Sequence, residues 1–159
     1  GRDCAMVAKL IAGNMPTRVY YVSHGGFDTH ANQAGAHERL LKQFGDAMNS
    51  FVTDLGKQGN LRRVLILAFS EFGRRVSENA NSGTDHGAAG PLFVFCGKTN
   101  GGIMGPQPSL DPRDLVQGDL RHQLDFRSIY ATVLEQHMRV SAQEILRKRF
   151  SPVHGLFSA

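Results

Sequence analysis

Apolar positions recur along this chain with two different periods, and the alternation between them predicts a succession of helices and strands. Ala5, Met6, Val7, Leu10 and Ile11 mark a helix over Asp3 to Gly13, stopped by Gly13-Asn14 and broken off by Pro16. Arg18 to Ser23, rich in Val and Tyr, predicts a short strand. Leu40, Leu41, Phe44, Ala47, Met48, Phe51, Val52 and Leu55 then recur at helical spacing and form one apolar stripe, closed by Gly56 and Gly59. Arg63 to Phe69 is almost wholly apolar, the pattern of a strand covered on both faces of a parallel sheet. Strand, amphipathic crossover, strand predicts a right-handed βαβ unit.

Downstream the pattern is more broken. Ser70 to Gly90 has little periodicity and reads as a loop, long enough inside a compact domain to carry function or mobility. Pro91 to Cys96 predicts a third strand, and Gly97 to Gly118 an irregular stretch with a short hairpin. Asp125 can cap a helix whose stripe is Phe126, Ile129, Tyr130, Val133 and Leu134. Ser141 and Glu144 form a capping box that opens a final short helix, and Pro152 and Gly155 mark an irregular tail. The expected architecture is a single α/β domain over residues 1–159 with a mainly parallel sheet.

Composition narrows the classes. The 159 residues, 41% hydrophobic and 20% charged, suffice for one globular core. No apolar run approaches the roughly 20 residues that a membrane-spanning helix needs. A net charge of +4 attracts anions mildly, but its cations are scattered apart from Arg62-Arg63, Arg74-Arg75 and Arg147-Lys148-Arg149. The last of these suits the final turn of a helix, so nucleic-acid binding is not expected. Cys4 and Cys96 read as buried thiols rather than a bridge. The chain opens on Gly1, which suggests a piece of a longer protein whose export signal would lie elsewhere.

Candidate chemistry sits in three polar segments beside apolar runs. These are Gly25-Gly26-Phe27-Asp28-Thr29-His30, Ser70-Glu71-Phe72-Gly73-Arg74 and Gly83-Thr84-Asp85-His86-Gly87. In open α/β sheets ligands bind at the carboxyl ends of strands. With a helix starting near Thr29, His30 and His37 share a face and Asp28 stands at its junction, a set that suits Zn²⁺ or a similar cation. The plainer alternative makes Asp28 or Thr29 a helix cap and leaves the histidines solvated. Glu71 is either a site carboxylate or the surface partner of Arg74 or Arg75. Arg74 can face an anionic group in bidentate fashion or pair with Glu71. Asp85 can hold a bend or, with His86, supply ligands. Asp28, His30, His37, Glu71, Asp85 and His86 together are about what a two-cation site requires. Other signatures are missing. Gly97-Lys98-Thr99 lacks the leading glycine and following helix of a phosphate loop, and His37-Glu38 lacks the second His of a zinc-protease helix.

Taken in order, these three segments, with Asn32-Gln33, His37, Gly101-Gly102 and Asp125-Phe126-Arg127, resemble the family called domain of unknown function 1501 over nearly the whole chain. That family is grouped with the alkaline phosphatase and sulfatase superfamily. The resemblance implies a bacterial protein, periplasmic or otherwise exported, of which this chain is the C-terminal portion. It implies a three-layer α/β/α, alkaline-phosphatase-like fold truncated at its N-terminus, and metal-dependent hydrolysis of phosphate or sulfate esters. Asp28, with His30 or His37, would hold one metal, Glu71 would replace an Asp at a later strand end, and His86 would follow as a ligand. The expected cation is Zn²⁺, with Mn²⁺ or Ca²⁺ as alternatives, and the substrate a small anionic ester or a sulfated or phosphorylated glycan. The superfamily's nucleophile comes from an early strand, and neither Ser23, Ser70 nor Thr84 matches it. A non-catalytic metal-binding or partner-binding module of the same fold is the alternative expectation.

Overall fold

In the computed structural model, which describes residues 1–158, the core lies between two helices. α1 (Arg2–Ala12) turns Ala8 and Ile11 onto Phe51 and Leu55 of α2 (Gln33–Lys57). Cys4, Val7, Tyr20, Leu61, Val64 and Ile66 pack around that contact. The stripe of α2 is the cause: residues three and four apart share one face, and burying each large aliphatic side chain there contributes about 1.5–3 kcal/mol. Gly13 ends α1 by donating its amide to the Lys9 carbonyl at 2.9 Å.

α2 starts at Gln33, not near Thr29. Four amides at a helix start lack intrahelical partners. Here Asn32 and Gln33 donate theirs to the carbonyls of Asn81 and Ser82, at 3.0 and 2.9 Å. A loop distant in sequence therefore decides where the helix begins, and leaves His30 outside it.

The strands overturn the expected α/β/α architecture. β1 (Ile66–Ala68) pairs antiparallel with β4 (Phe93–Phe95), in the register Ile66 to Phe95. β2 (Gly73–Arg74) pairs antiparallel with β3 (His86–Gly87). No parallel pair occurs among the described residues, so the βαβ unit and the mainly parallel three-layer sheet are not formed. Arg18 to Ser23 joins no ladder: Tyr20 enters the core while Val19 and Tyr21 are exposed. Alternation specifies which face of a segment prefers burial, but a strand also needs a neighbour's amides and carbonyls, which the local pattern does not name. Nor is β4 covered on both faces, since its Phe93 remains exposed.

The C-terminal helices follow their caps. Asp125 accepts the Arg127 amide and opens α3 (Phe126–Thr132), and the Arg127 guanidinium hydrogen-bonded to it holds its carboxyl at about 2. The chain continues through a π-helical turn over Val133–His137. Ser141 accepts the Glu144 amide and opens α4 (Ala142–Leu146). Fully buried Thr132 joins this unit to the tail, its hydroxyl donating to the Ser128 carbonyl and accepting the Val153 amide, each at 2.7 Å. Cys4 and Cys96 are free thiols, and no helix among the described residues is long and apolar enough to cross a membrane.

Leu55, 0% exposed, is the sharpest test of this core. Leu55→Ala is expected to lower the unfolding free energy by about 2–5 kcal/mol, read from urea denaturation. Truncating exposed Phe93 is expected to cost well under that.

Candidate metal centre

The three polar segments meet at one place because two of them pair with each other. The β2–β3 ladder sets Gly73 opposite Gly87 and Arg74 opposite His86. At Gly73 a Cβ would stand 1.7 Å from the Ala89 carbonyl oxygen, so only glycine admits the return strand. The same holds at buried Gly83, where a Cβ would lie 2.3 Å from the carbonyl carbon of His30. The loop from Asn79 to Gly83 is thereby pressed onto the segment Phe27–Gln33.

Asn79 binds that contact together. Its amide nitrogen donates to the His30 carbonyl at 3.0 Å and to Asp85 Oδ1 at 3.3 Å. Its oxygen accepts the amides of Asn81 and Gly83, at 2.9 and 3.1 Å. Arg74 does comparable work beneath the site. It donates to the carbonyls of Thr84 and Phe27, lies 3.7 Å from Asp28 Oδ1 and stacks its guanidinium over Phe72. Only 16% of its side chain is exposed, so its donors go to the fold and not to an open anion site.

Asp28, His30 and His86 converge. Asp28 Oδ1 lies 2.7 Å from His86 Nε2 and 2.9 Å from His30 Nε2, and the two Nε2 atoms are 3.1 Å apart. The other ring nitrogen of His30 faces Asp85 Oδ1 at 3.3 Å. Phe72 stacks flat on the His86 ring with centroids 3.8 Å apart, fixing its plane. All three side chains are exposed, so the group opens to solvent.

The remaining candidates are outside this group of three. His37, inside α2, contacts the Gln33 amide at 3.4 Å and sits edge-on to Phe27. Glu71 is exposed and makes no hydrogen bond or ion pair among the described residues. Asp85 stands behind His30 and not in the triangle. Asn79 carries no signal in the sequence pattern, while Gln33 and Phe72 stand in its motifs without an individual role. Gln33 links Thr84 to Thr29 through hydrogen bonds of 3.0 Å each, and the Asn32-Gln33 pair was the only trace of it in the pattern.

The donor set fits a divalent cation. If both imidazoles donate to Asp28, their Nε2 atoms become two donors facing each other at 3.1 Å. A cation shared by three lone pairs removes that conflict and leaves the His30 Nδ1–H to donate to Asp85, the usual backing of a ligating histidine. Two imidazoles favour Zn²⁺ or Mn²⁺ over Ca²⁺, which takes oxygen ligands.

The model of a family described as protein of unknown function (DUF1501) matches residues 1–149. Neither a curated protein nor a solved structure matches the chain.

Two predictions follow from this geometry. The His86 hydrogen bond, aided by the charges of both imidazoles, holds the Asp28 carboxyl below its usual 3.8. A lowered folded pKa keeps the carboxylate ionised, so its contribution is present above the unfolded pKa and fades as pH falls through the folded one. With chelator present, the Asp28 midpoint read by NMR is expected below 3.8 and should rise toward it in His86→Ala. Gly83→Ala is expected to push His30 away, reducing the Asp28 shift but leaving the part due to His86, and lowering stability by about 1–3 kcal/mol.

Proposed function

The chain belongs to the DUF1501 family, and from that premise we propose that Asp28, His30 and His86 hold a divalent cation, most suitably Zn²⁺, for hydrolysis of a small anionic phosphate or sulfate ester. One observation carries this reading: three ligand atoms on two distant segments converge within 4.8 Å, with a second carboxylate behind one of the imidazoles. When bound, the cation supplies Lewis acidity toward an ester oxygen and lowers the pKa of its water. The residues of the chain do the rest. Asp85 orients His30, Phe72 fixes the plane of His86, and Arg74 ties the backbone at Phe27, beside Asp28, to the backbone at Thr84. The analogy to alkaline phosphatases and sulfatases extends to the types of side chain gathered here and not to the fold, because the sheet expected of them is not formed.

A non-catalytic metal-binding module is the second reading. It is favoured by one specific observation: among the described residues, no hydroxyl or thiol hydrogen-bonds to Asp28, His30 or His86 side chains.

Elemental analysis of the purified chain after loading with Zn²⁺ or Mn²⁺ tests the site. Stoichiometric metal is expected, lost in Asp28→Ala and His86→Ala and retained in Glu71→Ala and His37→Ala. Asp85→Asn is expected to keep the ligands but weaken binding about 10–100-fold. A wild-type chain that takes up no metal overturns the proposal, and metal uptake without turnover of aryl phosphate or aryl sulfate favours the binding module.

A further inference from the structure

His86 borders a second feature. Beside it opens a cleft of about 220 Å³, lined also by Arg75, Val116, Gln117, Asp119 and Leu120. One wall is the β2–β3 ladder, which Arg75 extends by donating its amide to the Asp85 carbonyl at 3.0 Å. The other is a tight turn in which Val116 and Asp119 exchange backbone hydrogen bonds of 2.9 and 3.0 Å. Its central residues Gln117 and Gly118 both have positive φ, 54° and 77°, as a two-residue hairpin turn demands. Two ties hold the turn against the ladder. Arg75 donates to the Gln117 carbonyl at 2.5 Å, and Asp119 Oδ2 accepts the Ala88 amide at 2.7 Å. The other Asp119 oxygen accepts the Leu120 amide at 2.8 Å.

The adjacent arginines thus divide their work. Arg74 is mostly buried and its donors serve backbone carbonyls. Arg75 is exposed at the cleft and uses one of its five N–H donors on Gln117. We propose that this cleft seats the anionic ligand beside His86, and that Arg75 rather than Arg74 selects it by charge. The proposal rests on the reading of Asp28, His30 and His86 as a cation site. A guanidinium anchored at one end keeps its positive charge at the cleft, where a tetrahedral oxyanion would face it. Asp119 repels a second anionic centre, so the cleft suits a ligand with one. Val116 and Leu120 offer apolar surface to the remainder of the ester, and a volume below the roughly 300 Å³ of drug-sized sites keeps that remainder small.

The test titrates inorganic phosphate calorimetrically into the zinc-loaded chain, with zinc content measured in parallel. Arg75→Gln is expected to keep its zinc and bind phosphate about tenfold more weakly or worse, with Arg75→Lys recovering much of the loss. Unchanged phosphate affinity in zinc-bearing Arg75→Gln overturns the proposal and leaves the cation reading standing. Equal loss in the Gln and Lys variants also overturns it, because the turn and not the charge is then responsible. If the wild type takes up no zinc, the cation reading fails by itself and the titration is repeated without metal. Arg75-dependent phosphate binding then supports the cleft, and no phosphate binding overturns it.

Discussion

The loop that bears Asp85 and His86 reaches the segment that bears Asp28 and His30 because backbone lies directly on backbone at Gly83. Any side chain there would occupy the position of the His30 carbonyl. Contact this close also serves the amides on both sides. The start of α2 finds its acceptors in Asn81 and Ser82, and Asn79 satisfies polar groups of loop and segment together. Remove the glycine and the helix start, the His30 backbone and the Asp85 contact all lose their partners at once. The site is in this sense a by-product of how α2 is capped.

The packed core and the imidazole cluster lie at opposite ends of α2. With 25 residues at about 1.5 Å each the helix is about 37 Å long. Its last turns carry Phe51 and Leu55 into the core against α1, while its first residues abut the imidazole cluster. Exposed ion pairs contribute little to folding, because water screens them and ordering them costs entropy. The grouping of Asp28, His30 and His86 is therefore not explained by stability. Arg74 is the exception within the site. Its charge is largely withdrawn from water and is compensated by carbonyls on both flanking segments, so it acts as a fastener.

Legibility in the sequence varied with the kind of information. Helix caps were readable because they are local: Asp125 and Ser141 each bond an amide two or three residues ahead. The α2 stripe was readable for the same reason, its period being intrinsic to the helix. The parallel sheet was misjudged because Arg63 to Phe69 carries the composition of a doubly covered strand, yet Ile66–Ala68 finds a single antiparallel neighbour. At the site, Asp28, His30 and His86 stand in the segments marked by their glycines. His37 was grouped with them on the assumption that the helix began four residues earlier, and Glu71 because it follows an apolar run. The convergent group of Asp28, His30 and His86 includes neither of them.

The sequence alone determined the amphipathic helices, the caps of α3 and α4, the positions of the three polar segments and the glycines within them, since each depends on groups a few residues apart. Tertiary structure alone decided strand direction, the first residue of α2, and which carboxylates and imidazoles share one point in space. Those outcomes depend on hydrogen-bond partners and on close backbone approaches between segments some fifty residues apart, such as His30 with Asp85 and Arg74 with Phe27. No local pattern encodes the identity of such a partner, because the free energy that selects it belongs to the assembled whole.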